Sequence, residues 1–227
     1  MNARTIGSSY LPARNSAGRL DDRIPALLKQ HPAVIGVRLV GSRAEGRSHE
    51  RSDWDFVVET SDFDAVATAL PSLMQPLGCL SQQWDPLSPD WVWMLMLPGP
   101  IKVDLVIVGR PHAFESAYVP SAQNLEAIDM HFWDWMLWLR SKPLANRELH
   151  ETELKKLFVH LLAPLGVESV PGSVGEAVVS YVDARSRAEA RLGVKVPRSL
   201  EEEVAPALKP FQSAEQVHRP RNNTCRA

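Results

Sequence analysis

Two apolar runs, Trp91–Leu97 and Ile101–Val108, meet across Pro98-Gly99-Pro100. Short runs rich in β-branched and aromatic residues, separated by a turn-forming triplet, read as a β-hairpin. That hairpin commits the first half of the chain to a sheet. Ala33–Val40 is a further apolar, β-branched run that enters Gly41-Ser42 directly, the pattern of a buried strand running into a tight turn. Trp54–Glu59 reads as another strand. Between strands, Asp62–Met74 places Phe63, Val66, Ala67, Leu70 and Leu73 at helical spacing, with Ser61 positioned to cap it.

The character of the chain changes near Pro120. Asn124–Arg140 carries Leu125, Ile128, Phe132, Trp135, Met136 and Leu139 at helical intervals and is stopped by Lys142-Pro143. Glu151–Leu162 and Ser173–Leu192 repeat the pattern, and Ser199-Leu200-Glu201-Glu202 has the spacing of a capping box that opens a short fourth helix. The expected fold class is α/β (α+β): a mixed sheet with flanking helices over residues 1–118, a C-terminal helical domain over 119–213, and a loose polar tail over 214–227.

Several classes of protein are excluded or disfavoured. The longest uninterrupted apolar run, Trp91–Leu97, falls far short of the ~18 residues of a membrane span, so no membrane association is expected. The first residues carry Arg4, Arg14 and Arg19 without an apolar core, unlike a secretory signal. Cys79 and Cys225 make no disulfide framework and fit a reducing cytoplasm. The 25 Lys+Arg and 27 Asp+Glu are spread evenly over both halves, without the basic half that a long nucleic acid would attract.

The chemistry concentrates between Gly41 and Val58. A Gly-Ser turn follows a strand, three arginines fill a polar stretch, and Asp53-Trp54-Asp55 opens the next strand. Residues i and i+2 of a strand share a face, so Asp53 and Asp55 project together while Trp54 and Phe56 face the other side. In the hairpin, Lys102 and Asp104 share a face opposite Ile101, Val103, Leu105 and Ile107. A carboxylate flanked by apolar residues is costly to bury, and neighbouring carboxylates raise one another's pKa. A hard divalent cation such as Mg2+ removes that cost and shares its oxygen ligands with substrate phosphates.

These residues resemble a known family. Gly-Ser, then ten residues, then Asp-x-Asp on a strand, then a third Asp within an apolar strand, is similar to the nucleotidyltransferase fold of the DNA polymerase β superfamily. The resemblance covers residues 30–110 and is closest to the small-molecule (aminoglycoside-type) and minimal nucleotidyltransferases. It implies transfer of a nucleoside monophosphate, AMP by family habit, from an NTP to a hydroxyl of a small-molecule acceptor, with pyrophosphate leaving. By the same resemblance Gly41 and Ser42 bind the triphosphate, and Asp53 and Asp55 hold metal, two Mg2+ ions in all. Asp104 completes the catalytic set as a metal ligand or as the base that takes the acceptor's proton. Arg43 and Lys102 are candidate phosphate contacts. The helical half would face the acceptor, with Glu126, Asp129 or Asp134 available to a cationic one.

Other readings compete with this one. The same fold family contains protein-modifying members of toxin–antitoxin type and polymerising enzymes that extend RNA ends, and a catalytically silent nucleotide-binding or interaction module is the reading from a different class. Asp104 paired with Lys102 or Arg110 would be a purely structural carboxylate. Gly41-x-x-x-x-Gly46-Arg47-Ser48 approaches a phosphate-binding loop, but Arg47 stands where Lys belongs and strand-like sequence begins at Asp53, leaving little room for the obligatory helix. No Gly-x-Gly-x-x-Gly occurs. Trp133, Trp135 and Trp138 do not share one helix face and read as core or domain packing; His131 and His160 read as structural, and Cys79 as a small hydrophobe.

Overall fold

A computed structural model describes residues 19–112 and 118–218, with side chains to residue 209. Its elements run α1 (Leu20–Leu28), β1 (Val34–Val40), α2 (Gly41–Ala44), β2 (Trp54–Thr60), α3 (Phe63–Met74), β3 (Ser81–Trp84), β4 (Val92–Leu97), β5 (Ile101–Val108), α4 (Leu125–Ser141), α5 (Arg147–Leu157), α6 (Val174–Leu192) and α7 (Ser199–His218). A 3-10 turn at Gln75–Leu77 follows α3, and a π-type turn at Phe158–Leu162 extends α5. The strands form one sheet of order β1-β2-β5-β4-β3, in which β2 and β5 are parallel and the other neighbours antiparallel. The mixed sheet with flanking helices and a helical second half is the fold class expected from the sequence.

The hairpin closes with Leu97 opposite Ile101, so Pro98, Gly99 and Pro100 form its turn. Strand β4 is buried along its whole length because both faces of the sheet are covered, which is why it reads as an unbroken apolar run. Trp93, Leu95 and Leu97 join Phe56, Val58, Val103, Leu105 and Ile107 in a core closed by Ile24 and Leu28 of α1 and by Val66, Leu70 and Met74 of α3. The alternate residues Val92, Met94 and Met96 pack into a second core made mainly by α4–α7. Lys102 and Asp104 pair with Met96 and Met94 and therefore stand on the face that α4 covers.

The helical half is pinned by a buried polar network. Asp129 of α4, 1 % exposed, accepts hydrogen bonds from Trp133 Nε1 (3.2 Å), Tyr181 Oη (2.6 Å) and Arg185 Nη1 (2.7 Å). Arg185 also pairs with Glu201 of α7, so one guanidinium joins three helices. Asp129, considered above as an acceptor contact, is committed to this core.

Several local features differ from the sequence expectation. Helix α3 is capped by Asp62, whose carboxylate accepts from Ala65 N–H at 3.0 Å, rather than by Ser61. Helix α5 starts at Arg147 under an Asn146 cap, before the apolar spacing begins at Leu154. Helix α7 is not short: it continues to His218, past the start of the expected tail, and the remainder of that tail lies outside the described residues. Among the described residues no helix is long and apolar enough to cross a membrane.

Candidate active site

Strand pairing brings the sequence-selected carboxylates to one end and one face of the sheet. Across β1, β2, β5 and β4 the register reads Val40, Asp55, Asp104, Met94, which puts Asp55 directly beside Asp104 on the parallel pair. Asp53 precedes β2 by one residue and lies on the Asp55 side of the chain, with Phe56 and Val58 buried on the other. Gly41 ends β1 with φ +67°, and a Cβ built on it would stand 2.7 Å from Asp55 Oδ2. The glycine therefore allows both the left-handed turn and the approach of the carboxylate to the backbone. Ser42 lies in the short helix α2, its carbonyl accepting from Arg47 N–H at 2.9 Å.

Electrostatically the three aspartates act as a group. Burial and the charges of Asp104 and Asp55 push the Asp53 carboxyl up to about 6, against the pull of Lys102 and Lys142. Asp55 is raised as well, by burial and by Asp104. No salt bridge holds Asp53 or Asp55 among the described residues, whereas Asp104 Oδ1 accepts from Lys102 Nζ at 2.6 Å. Lys102 is itself buried and donates to Asp134 Oδ1 of α4 at 2.9 Å. Burial alone would lower the lysine's pKa; Asp104, Asp134 and Asp53 overcome it and hold the side chain as a cation.

Two cavities flank Lys102. The larger, about 470 Å3, opens between the β3–β4 connection (Asp85, Leu87, Pro89), the β5 floor (Lys102, Asp104) and the helices. Its helical wall is His131, Asp134, Trp135 and Trp138 of α4, with Glu153, Lys156 and His160 opposite. The π-type turn carries His160 into that wall, a place where such turns recur at functional sites. His131 is held neutral, its pKa lowered to about 3 by burial and by Lys102, and its ring contacts Tyr118 Oη at 3.1 Å. The smaller cavity, about 280 Å3, is bounded by Arg43, Glu50, Arg51, Asp53, Lys102 and Arg140, with the Gly99-Pro100 turn closing one side.

Of the residues singled out in the sequence, Gly41, Asp53, Asp55, Asp104 and Lys102 are brought together. The guanidinium of Arg43 is occupied elsewhere: it donates to the carbonyls of Ser52 (2.5 Å) and Asp53 (2.9 Å) and lies 4.0 Å over the Trp54 ring. Arg43 thus fixes the backbone that enters β2. Of the acidic residues considered on the helices, Glu126 is exposed, Asp129 is in the core, and Asp134 lines the larger cavity. Trp133 is core, as packing required, but Trp135 and Trp138 line the cavity, and so do His131 and His160. The missed signal was a polar and aromatic stripe at positions 131, 134, 135 and 138, helical spacing on a helix that is otherwise buried.

Among the described residues, no three His, Cys, Asp or Glu side chains are arranged to hold a metal ion. The donor chemistry nevertheless suits a hard divalent cation: three neighbouring carboxylates, two of them raised by burial and mutual charge and held by no salt bridge. Asp104 would join them by exchanging its bond to Lys102.

The raised Asp53 has a measurable consequence. An acid whose folded pKa is raised takes up a proton on folding, so its contribution is most favourable below its ordinary value of 3.8. That contribution is lost as pH rises through about 6. In EDTA, Asp53→Asn is expected to stabilise the protein by about 1–2 kcal/mol at pH 7.5, after allowance for partial solvent contact, and to change little at pH 4. Thermal unfolding of both proteins from pH 4 to 8 checks this; parallel curves would contradict it.

No family model and no curated protein matches the chain. Among solved structures, one described as a cytoplasmic RNA terminal U-transferase is similar at TM-score 0.33 and 17% identity, covering 68% of this chain and 42% of that one. The chain thus spans less than half the length of that protein. An aminoglycoside 6-adenyltransferase from Bacillus subtilis is similar at TM-score 0.29 and 12% identity, covering 86% of this chain and 96% of that one. Likeness at this level carries no weight for function, which is argued from the site.

Proposed function

We propose that the protein is a Mg2+-dependent nucleotidyltransferase of the cytoplasm that moves a nucleoside monophosphate, AMP from ATP, to a hydroxyl of a small-molecule acceptor. One observation carries the reading: Asp55 and Asp104 are paired side by side on the parallel strands, with Asp53 on the same side and the Gly41 turn against Asp55. Asp53, Asp55 and Asp104 would hold the metal, which supplies neutralisation of phosphate charge and stabilises the attacking and leaving oxygens. Gly41 and Ser42 would bind the triphosphate beside those carboxylates, through the backbone of the turn and the Ser42 hydroxyl. The acceptor oxygen forms a bond to the α-phosphorus while the bond from that phosphorus to the leaving pyrophosphate oxygen breaks. The hydroxyl proton passes to a carboxylate, and Asp104 is our candidate for it where it does not serve as a metal ligand. Lys102, a buried cation beside Asp104, offsets negative charge gathering there.

The acceptor occupies the larger cavity, between residues of the first 118 and those of the helical half. Its volume of about 470 Å3 is within the range of small-molecule sites. Asp134 and Glu153 are paired with Lys102 and Lys156 of the same lining, which leaves Asp85 with Trp135 and Trp138 to favour an acceptor bearing positive charge on a ring-shaped body. A concave site of this volume suits a small-molecule acceptor.

Thermal unfolding with each NTP, with and without Mg2+, on wild type and Asp55→Asn tests the reading. At ligand near a hundred times its dissociation constant, binding adds ~2.7 kcal/mol. For this chain length that is a rise of roughly 5–10 °C in Tm. The expected rise needs Mg2+, prefers ATP and is absent in Asp55→Asn. No shift with any nucleotide would overturn the proposal in favour of an interaction module.

A further inference from the structure

Lys102 is an ammonium group on an interior strand. Its side chain is 5 % exposed, yet it has two carboxylate partners, Asp104 Oδ1 at 2.6 Å and Asp134 Oδ1 at 2.9 Å. One partner would suffice to neutralise it. The second, Asp134, comes from α4, is 8 % exposed, and brings with it the cost of another buried charge, for burial pushes its carboxyl up to about 7 against the pull of Lys102. Both partners line the larger cavity, Asp104 on its floor within the carboxylate row of the sheet and Asp134 on its helical wall. Lys102 lines both cavities.

We propose that Asp134 is a positioning residue for Lys102. It keeps the ammonium buried and counter-charged when Asp104 gives up its lysine hydrogen bond to a divalent cation, so that the helical wall of the acceptor cavity bears on the cation site through one lysine. This rests on the reading of Asp53, Asp55 and Asp104 as the cation-holding set. Lys102 Nζ, bonded to Asp104 Oδ1, and a divalent cation would compete for the negative charge of one carboxylate. With Asp134 present, Lys102 gives up one of two anionic partners and stays where it is. Without that second charge, release of Asp104 would strand a buried ammonium, so the lysine holds Asp104 against the cation.

Mn2+ titrated into the full chain without nucleotide, followed by calorimetry, tests the idea on wild type, Asp134→Asn, Asp134→Glu and the double variant Lys102→Met/Asp134→Asn. Asp134→Asn is expected to weaken Mn2+ binding by about tenfold or more, the effect of confining a charge-assisted bond to one partner. Asp134→Glu, which keeps the counter-charge, recovers most of that loss. The double variant, which lacks the competitor, binds Mn2+ at least as tightly as wild type. If Asp134 only packs, the double variant is as weak as Asp134→Asn, and that result overturns the proposal; so does unchanged binding in Asp134→Asn. Should Asp134→Asn fail to fold, the double variant decides against wild type: binding at least as tight supports the proposal, and weaker binding overturns it. Wild type that binds neither Mn2+ nor metal-dependent ATP removes the nucleotidyltransferase reading and this inference with it. Wild type that binds both, with variants that do not differ, removes this inference alone.

Discussion

Asp55→Asn is expected to lower nucleotidyl transfer by about a thousandfold or more, with no loss of thermal stability. The rate effect follows from position. Asp55 is the middle of the lateral row, beside Asp104 and against the Gly41 backbone, and no salt bridge holds its charge. Under the proposed function Asp55 would be a ligand of the divalent cation, and removing its negative charge would forfeit several kcal/mol of transition-state stabilisation, each ~1.4 kcal/mol being a factor of ten. The stability effect follows from the same surroundings. Burial and Asp104 already disfavour the charged form of Asp55, so a neutral isostere relieves repulsion in the folded state. Label transfer from ATP to acceptor, read beside a melting curve, checks both halves. A folded variant retaining more than a tenth of wild-type turnover would remove Asp55 from the chemistry.

Gly41→Ala is the second large effect, about a hundredfold in turnover, and it separates two roles of one glycine. At φ +67° a Cβ costs on the order of 1 kcal/mol in backbone strain. It would also stand 2.7 Å from Asp55 Oδ2 and 3.5 Å from its Cγ. The carboxylate end can swing away, so the clash costs little stability; what it costs is the placement of Asp55, and a misplacement near 1 Å is worth about a hundredfold. Gly46→Ala is the control. Gly46 has φ +66°, and a Cβ there would meet nothing within 4 Å, so it incurs the strain without the displacement. Both variants are expected to melt roughly 2–4 °C below wild type, with turnover lost in Gly41→Ala alone. Equal activity in the two would show that the approach of Asp55 to Gly41 has no consequence.

Local periodicity made much of this fold legible. The hairpin, β1, β2, α3, α4 and α6 follow from apolar spacing, and the shared face of Lys102 and Asp104 follows from the two-residue repeat of a strand. Elements with little apolar signal were not visible. Strand β3 (Ser81–Trp84) is a polar edge strand that exists by pairing with β4; helix α1, by contrast, does carry a legible signal, Leu20, Ile24, Leu27 and Leu28 at i, i+4, i+7 and i+8, with Pro25 interrupting it. The site divides in the same way. That Asp53 and Asp55 project together is a property of one strand; that Asp55 meets Asp104 depends on a parallel pairing no local pattern encodes. The engagement of Arg43 with the Ser52 and Asp53 carbonyls, and of Lys102 with Asp134, arises from tertiary contact between segments distant in sequence.

The single parallel pairing also sets an order of assembly. β1–β2 and β4–β5 are each joined by a connection local in sequence, whereas β2 and β5 are separated by α3, β3 and β4. Closing that longer loop costs chain entropy before its contacts are gained. Asp53 and Asp55 belong to the first unit, Lys102 and Asp104 to the second, so the third carboxylate joins the other two only when the units dock. Lys102, on the same strand, arrives with it. The docking step is therefore the one on which ionic strength is expected to act, since it is the step that gathers the three carboxylates.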